Sequence, residues 1–558
     1  MDDLKTKLAW LYQYDCLDFI EKKIDKGPWI TVYLSRRSEF EEVLFFCALI
    51  PNFRIEDALN NNSWDLMIGS GMPGCVTYSH RDSETKYFRF GDDDGIEPLV
   101  LCRDFHGIKP SYTEILEEFR LFHNLYYDSK NNKYLKIDED GNEEDIILID
   151  DKEVKIKLKE IKQFIAFKEM HLAIYFDIIR YSNETLEELG IIETHETQKK
   201  EKMLHHLYVE KWDYSMTDSR KTLSMLNGKK LIAGVSKDKS GIWPYEKQKE
   251  YADFIIGVDE NGENITYSCN LKSLANYFGA NPGAPHYLTP VIFRREVLNK
   301  YYANPEKFSI GDGYLRCSGL WNLRMDNNHE KYVMVFLGDL GQDLSFKEQL
   351  YWKNFNIAPD GVRISNVAWK RGFQAEFADP EKADLLFKYK FELFQSNWIK
   401  KFGWPLFKPL AAEDQHYYRA LRIPLTNDQA EFDQQVLALA KVFIDSLNEE
   451  SLRKFIPAKE KDEKGISKFE TFLTVQGLTD FQQHIKFMRD FYDLRSSGVG
   501  HRKGKKFEKI AATFQLAERD LIVVFEDILK KMTMLLQYLE ERLLRNDEYN
   551  QNTSGSGP

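Results

Sequence analysis

The sequence has no apolar run long enough to cross a bilayer: its longest, Val43 to Ile50, is far short of the about 20 residues a spanning helix needs. The opening Met1-Asp2-Asp3 lacks the basic residues of a secretory leader, and the two features together predict a cytoplasmic protein with no membrane partner. Cysteine is scarce and scattered. Cys16, Cys47, Cys75, Cys102, Cys269 and Cys317 lie far apart with no CxxC pair, which argues against a disulfide scaffold or a zinc ribbon and predicts mostly buried small hydrophobes. A basic surplus is also lacking. The 77 Lys and Arg face 89 Asp and Glu, leaving a net charge of -12, so nonspecific coating of nucleic acid is disfavoured and any phosphate-binding patch must be local.

What is present describes a folded chain. Hydrophobic residues at 43%, aromatics at 14% and charged residues at 30% exclude a mainly disordered, collagenous or coiled-coil protein, and 558 residues allow about three to five domains. The first 420 or so residues mix short β-type runs with amphipathic helices, an α+β signature that divides into a region over 1–160 and a sensor or regulatory region over 161–424. Two hairpins are predicted. One runs from Lys133–Ile137 through Asp140-Gly141 into Ile146–Ile149, the other from Phe254–Val258 through Asn261-Gly262 into Ile265–Tyr267, with Asp-Gly and Asn-Gly supplying the positive φ of a tight turn. Further strands are expected at Leu172 to Ile178 and Tyr332 to Leu337, and helices at Tyr112 to Tyr127 and Glu381 to Phe394. The echo of Tyr126-Tyr127 in Tyr301-Tyr302 carries no fixed period and is read as chance.

After Pro424 strand signals fade and helical periodicity takes over, which predicts an all-α bundle over 425–548. Thr426-x-x-Gln429, Ser467-x-x-Glu470 and Thr479-x-x-Gln482 each spell a capping box at a helix start. In the last helix Leu521, Phe525, Ile528, Met532, Leu535 and Leu539 form one apolar stripe, expected to be core rather than a dimer seam. Residues 549–558, ending Ser554-Gly555-Ser556-Gly557-Pro558, read as a disordered or added tail.

The chemistry concentrates at Arg495-Ser496-Ser497-Gly498-Val499-Gly500-His501, followed by Arg502, Lys503, Lys505 and Lys506. A helix from Thr479 to Leu494 ends at Arg495, a glycine-containing break follows, and four cations near His501 suit a phosphodiester. An Arg followed by a His five to seven positions later is expected by chance, and a second match, Arg324 and His329, sits in a polar turn without a basic run and reads as structural. RNA brings its own 2′-hydroxyl nucleophile, so a histidine to move protons and an arginine to stabilise phosphate charge suffice for cleavage. His484, Met488, Phe491 and Arg495 share a helical face, which makes His484 an auxiliary candidate, more simply read as a packed histidine.

This segment resembles the HEPN superfamily, helical bundles whose ribonuclease members carry R-x4-6-H at a helix junction. The resemblance implies a metal-independent endoribonuclease working as a homodimer or higher even-numbered oligomer, with no cofactor and RNA as the substrate. By that resemblance His501 is the general acid or base and Arg495 stabilises the phosphorane; the residues themselves point to Arg502, Lys503, Lys505 and Lys506 as holding the phosphate backbone. Many members have Asn, Asp or His directly after the arginine; here Ser496 stands there, able to donate and accept a hydrogen bond. Such domains occur in antiviral defence and toxin proteins, which implies a regulated effector released by a phage-derived or protein trigger. The alternative is a non-catalytic HEPN-like dimerisation or nucleotide-binding adaptor, with the amino-terminal region as a ligand- or protein-binding module.

Other motifs give bland readings. Gly69-Ser70-Gly71-Met72-Pro73-Gly74 formally spells GxGxxG but lacks a following helix, and Gly91-Asp92-Asp93-Asp94-Gly95 does not match a calcium loop. His205 and His206, expected on a helix with Glu201 and Glu210 four residues away, converge on no metal. Trp321, Trp352, Trp369, Trp398 and Trp404 are expected in cores.

Overall fold

β-Branched and aromatic runs form the strands of the first half of the chain, where their side chains pack on a pleated surface. The computed structural model describes residues 2–61, 73–77, 85–90, 95–213, 219–329, 331–359, 365, 379–457, 464–499 and 505–544. Two compact units emerge, one over Met1–Asp138 and Asn142–Gln248, the other over Glu139–Gly141 and Lys249–Pro558. The first is mostly antiparallel sheet and the second ends in a helical region, an α+β architecture.

Eleven strands join the main sheet of the first unit: β1 (Trp29–Arg37), β2 (Glu41–Pro51), β3 (Glu97–Pro98), β4 (Tyr126–Asp128), β5 (Lys133–Ile137), β6 (Glu143–Ile149), β7 (Glu153–Lys157), β8 (Met170–Ser182), β9 (Thr194–Lys200), β10 (Met203–Lys211) and β11 (Thr222–Ala233). Their order is β9-β10-β11-β8-β2-β1-β7-β6-β5-β4, with β3 beside β2. A division at residue 160 therefore falls within one continuous sheet, because β8 pairs with β2 along Met170↔Pro51 to Arg180↔Glu41. Leu172, Ile174, Phe176 and Ile178 of β8 face a core shared with α1 (Asp2–Leu11), α2 (Tyr14–Lys22) and α5 (Leu158–Lys168). Ala173 and Tyr175 point the other way, toward α3 (Ile55–Asn60). Arg180 is buried against the Trp10 ring and bonds Asp15 at 2.7 and 2.8 Å, tying both amino-terminal helices to the sheet.

Both predicted hairpins form, the second as Asp253–Val258 with Asn264–Ser268, and Gly141 and Gly262 take positive φ. The expected strand Tyr332 to Leu337 is Tyr332–Phe336. The helix expected over Tyr112 to Tyr127 breaks into a strand Tyr112–Ile115, a short α4 (Glu117–Phe122) and β4. Val100–Arg103 pairs with the first segment and β5 with the last, so ladder bonds to neighbours outweigh helical periodicity there. His205 and His206 lie in β10, not on a helix, so they face opposite sides of the sheet. Tyr126 is an exposed strand residue whereas Tyr301 is a buried helical one, so the two tyrosine pairs do not mark a duplication.

His123 follows α4, buried among the Phe119 and Phe122 rings, with Nε2 2.9 Å from the Glu160 carbonyl. Burial pushes its imidazole down to about 4. An unfolded histidine takes up a proton near pH 6.5, so the stability tied to this group is whole above pH 6.5 and is lost as pH falls toward 4, by about 3 kcal/mol. Urea unfolding of the first unit at pH 7 and pH 4.5 should show that loss, and His123→Phe should flatten it; an equal pH response in the variant would refute the assignment.

In the second unit, Pro290–Arg294 pairs with Tyr332–Phe336 and Asn356–Ile357 over a core around Trp352 and Tyr301. Trp352 donates to the Tyr301 hydroxyl at 2.7 Å, and that hydroxyl donates to buried Glu348 at 2.6 Å. The longer helices of the helical region are α6 (Ala383–Phe402), α7 (Gln429–Phe443), α8 (Gly465–Val475), α9 (Gln482–Leu494), α10 (Lys505–Phe514) and α11 (Leu521–Leu539), with short helices at Gln415–Ala420 and Glu449–Arg453. Its core begins at Ala383 and Phe387, so α6, expected from 381, belongs with the helices that follow Pro424. Trp352 and Trp398 are fully buried, Trp321 and Trp404 half-buried, and Trp369 lies outside the described residues.

The three expected capping boxes do not form. Asp428 caps α7 by accepting from the Ala430 amide, while Thr426 bonds Glu431. Ser467 is inside α8, whose first amide, Gly465, is bonded by distant Glu449, and α9 starts after Phe481. Among the described residues a capping box pairs Thr185 with Glu188 at Leu186–Leu189.

Candidate active site

α9 buries Ile485, Met488, Phe491 and Leu494 in the helical core, and this anchoring fixes its carboxy-terminal end. There the chain widens into a π turn over Arg495–Val499, a local distortion of the kind that recurs at functional sites. The hydroxyls of Ser496 and Ser497 both donate to the Asp493 carbonyl, at 3.2 and 2.5 Å. Ser496 is thereby engaged with backbone.

Arg495 reaches across to the segment after α7, where its NH2 group lies 2.9 Å from Asp445 Oδ2. Both side chains remain about a quarter exposed, at 27% and 28%. The arginine is therefore oriented by a carboxylate yet open to solvent on another side. Asp445 escaped the sequence reading because 50 residues separate it from Arg495, and a lone Asp after a helix carries no local signal. A partly exposed pair of this kind is worth about 1 kcal/mol at most. Asp445→Asn should leave stability within that limit in thermal melts, so a larger effect on any Arg495-dependent activity would report the arginine's placement.

His501, Arg502 and Lys503 lie outside the described residues. Lys505 and Lys506 open α10. His484 is eleven residues before Arg495, about 16 Å along a helix at 1.5 Å per residue, so the two are not brought together within the chain. It packs instead against Tyr538 of α11, ring centroids 4.9 Å apart, and burial lowers its pKa while Asp480 opposes the shift. That is a packing role.

At the second Arg-x4-His match, Arg295 bonds the Asn327 and His329 carbonyls at 3.0 Å and His329 stacks on Tyr332, a structural turn. Residues 69–72 and 91–94 of the two glycine motifs lie outside the described residues. Among the described residues no three His, Cys, Asp or Glu side chains are grouped to hold a metal ion. None of the six cysteines forms a disulfide; Cys47, Cys269 and Cys317 are buried and Cys75 is exposed. Among the described residues no helix is long and apolar enough to cross a membrane. Comparison with protein-family models, with curated proteins and with solved structures finds no match.

Proposed function

We propose that the helical region is a HEPN-type, metal-independent endoribonuclease, with Arg495 stabilising charge on the scissile phosphate and His501 moving the proton. The observation that carries this reading is Arg495 itself: a guanidinium set on a π turn at the end of a core-anchored helix, oriented by Asp445, a quarter exposed, and six positions before a histidine that opens a basic run. A fixed arginine costs little reorganisation when phosphate charge develops, which is where electrostatic catalysis gains. Arg502, Lys503, Lys505 and Lys506 supply the charge that would hold an RNA backbone.

Pairing of two such sites in a homodimer is part of the proposal, and it needs a surface other than the α11 stripe. Leu521, Phe525, Ile528, Met532, Leu535 and Leu539 are all buried in the chain's own core. The first unit and the sheet portion of the second would then sense a phage-derived or protein trigger in an antiviral or toxin setting. The Arg495–Asp445 pair favours one second reading, an adaptor in which the arginine is purely structural. Incubating the full chain with total cellular RNA in EDTA tests between them: cleavage that needs both Arg495 and His501 is expected, and cleavage indifferent to both would overturn the nuclease assignment.

A further inference from the structure

A cleft of about 500 Å³ opens in the first unit at the start of α5, within the size range of small-molecule sites. It is walled by Gly27 and Pro28 ahead of β1, by Glu144 and Lys157, by the first turns of α5, and by Val235 to Ser240 after β11. Three features of it point to a ligand. First, α5 has no side-chain cap at Lys157; its Leu158 amide donates to the Pro28 carbonyl at 2.9 Å, and the next two amides, of Lys159 and Glu160, have no capping side chain and can meet an anion. Second, four lysines line the cleft against two glutamates; Lys157 pairs with Glu144, whereas Lys159, Lys162 and Lys239 form no ion pair with any described residue. Third, two lining side chains are buried and unsatisfied. Glu160 is 2% exposed and Gln163 7%, and neither Glu160 Oε2 nor Gln163 Oε1 has a hydrogen-bond partner. The amide nitrogen of Gln163 is spent on the Ser240 carbonyl at 2.6 Å, so the oxygen is fixed as an acceptor.

Native proteins rarely leave buried acceptors unpaired, and here two belong to residues that line a cationic cleft. Lysines and helix amides call for an anionic group; Glu160 and Gln163 call for N–H or O–H donors on the same molecule. We propose that this cleft binds a nucleoside phosphate, its phosphates on Lys159, Lys162, Lys239 and the α5 amides, and its base or ribose donors on Glu160 and Gln163. Its occupation is independent of the nuclease reading, since every lining residue belongs to the first unit.

The test is calorimetric titration of the full chain with ATP, GTP, CTP, UTP, inorganic phosphate and tripolyphosphate. At least one nucleotide is expected to bind about tenfold or more tightly than tripolyphosphate. Lys159→Ala with Lys239→Ala, both at exposed positions, should weaken that nucleotide about tenfold with melting unchanged. Glu160→Gln should alter the ranking of the four bases while leaving tripolyphosphate unaffected. The proposal is overturned if no nucleotide binds, if the lysine variant binds as wild type does, or if tripolyphosphate matches every nucleotide, which would make this a polyphosphate site.

Discussion

Substituting His501 by Ala is expected to slow RNA cleavage in EDTA by two to four orders of magnitude, the span that positioned proton transfer usually contributes. Arg495→Ala should produce a loss of similar order, since removing one preorganised donor to a developing oxyanion costs about a hundredfold or more. Arg495→Lys separates charge from geometry. It keeps the cation but loses the planar group that reaches Asp445 and, on the proposed mechanism, would hold phosphate as well, so an intermediate rate is expected. A histidine mechanism also predicts that the rate falls as His501 titrates away from its working protonation state. Gel analysis of a defined RNA at several pH values reads all three, and a His501→Ala chain that cleaves at the wild-type rate would sink the mechanism.

Trp398→Ala is expected to cost about 3–5 kcal/mol, as large truncations in close-packed cores do. Trp398 is fully buried on α6, with the rings of Phe394 at 5.4 Å, Phe402 at 4.4 Å, Trp404 at 5.6 Å and Phe472 at 6.0 Å. Its removal opens a cavity between α6 and α8. Trp398→Phe should cost far less, because the buried indole Nε1 has no hydrogen-bond partner and the smaller ring deletes that unsatisfied donor along with the lost volume. Chemical denaturation of the two variants checks the contrast. Equal losses would mean that the N–H finds a partner in solution, and a loss below about 1 kcal/mol for alanine would refute the packing account.

Much of the architecture was legible because the signals involved are local. The Asp-Gly and Asn-Gly turns between apolar runs specify their hairpins by backbone conformation alone, and the 3–4 spacing in α11 names the face that is buried. The same locality explains the failures. Tyr112 to Tyr127 has helical spacing, yet strand partners on both sides claim its ends. The hydroxyl-x-x-acid pattern at Ser467 is locally correct, but Glu449 supplies the helix start from elsewhere in the chain.

The candidate site divides in the same manner. Residue type and spacing alone single out Arg495, His501 and the basic run, because phosphate chemistry limits which side chains can serve. That Arg495 would be set on a π turn and paired with Asp445, that His484 would turn to Tyr538, and that Glu160 and Gln163 would line one cleft with Lys239 were decided by tertiary structure. Sequence dictates what a residue can bond and which local turn it favours; which partner it meets across 50 or more residues depends on how whole helices and strands bury their apolar faces, and no short window of sequence contains that choice.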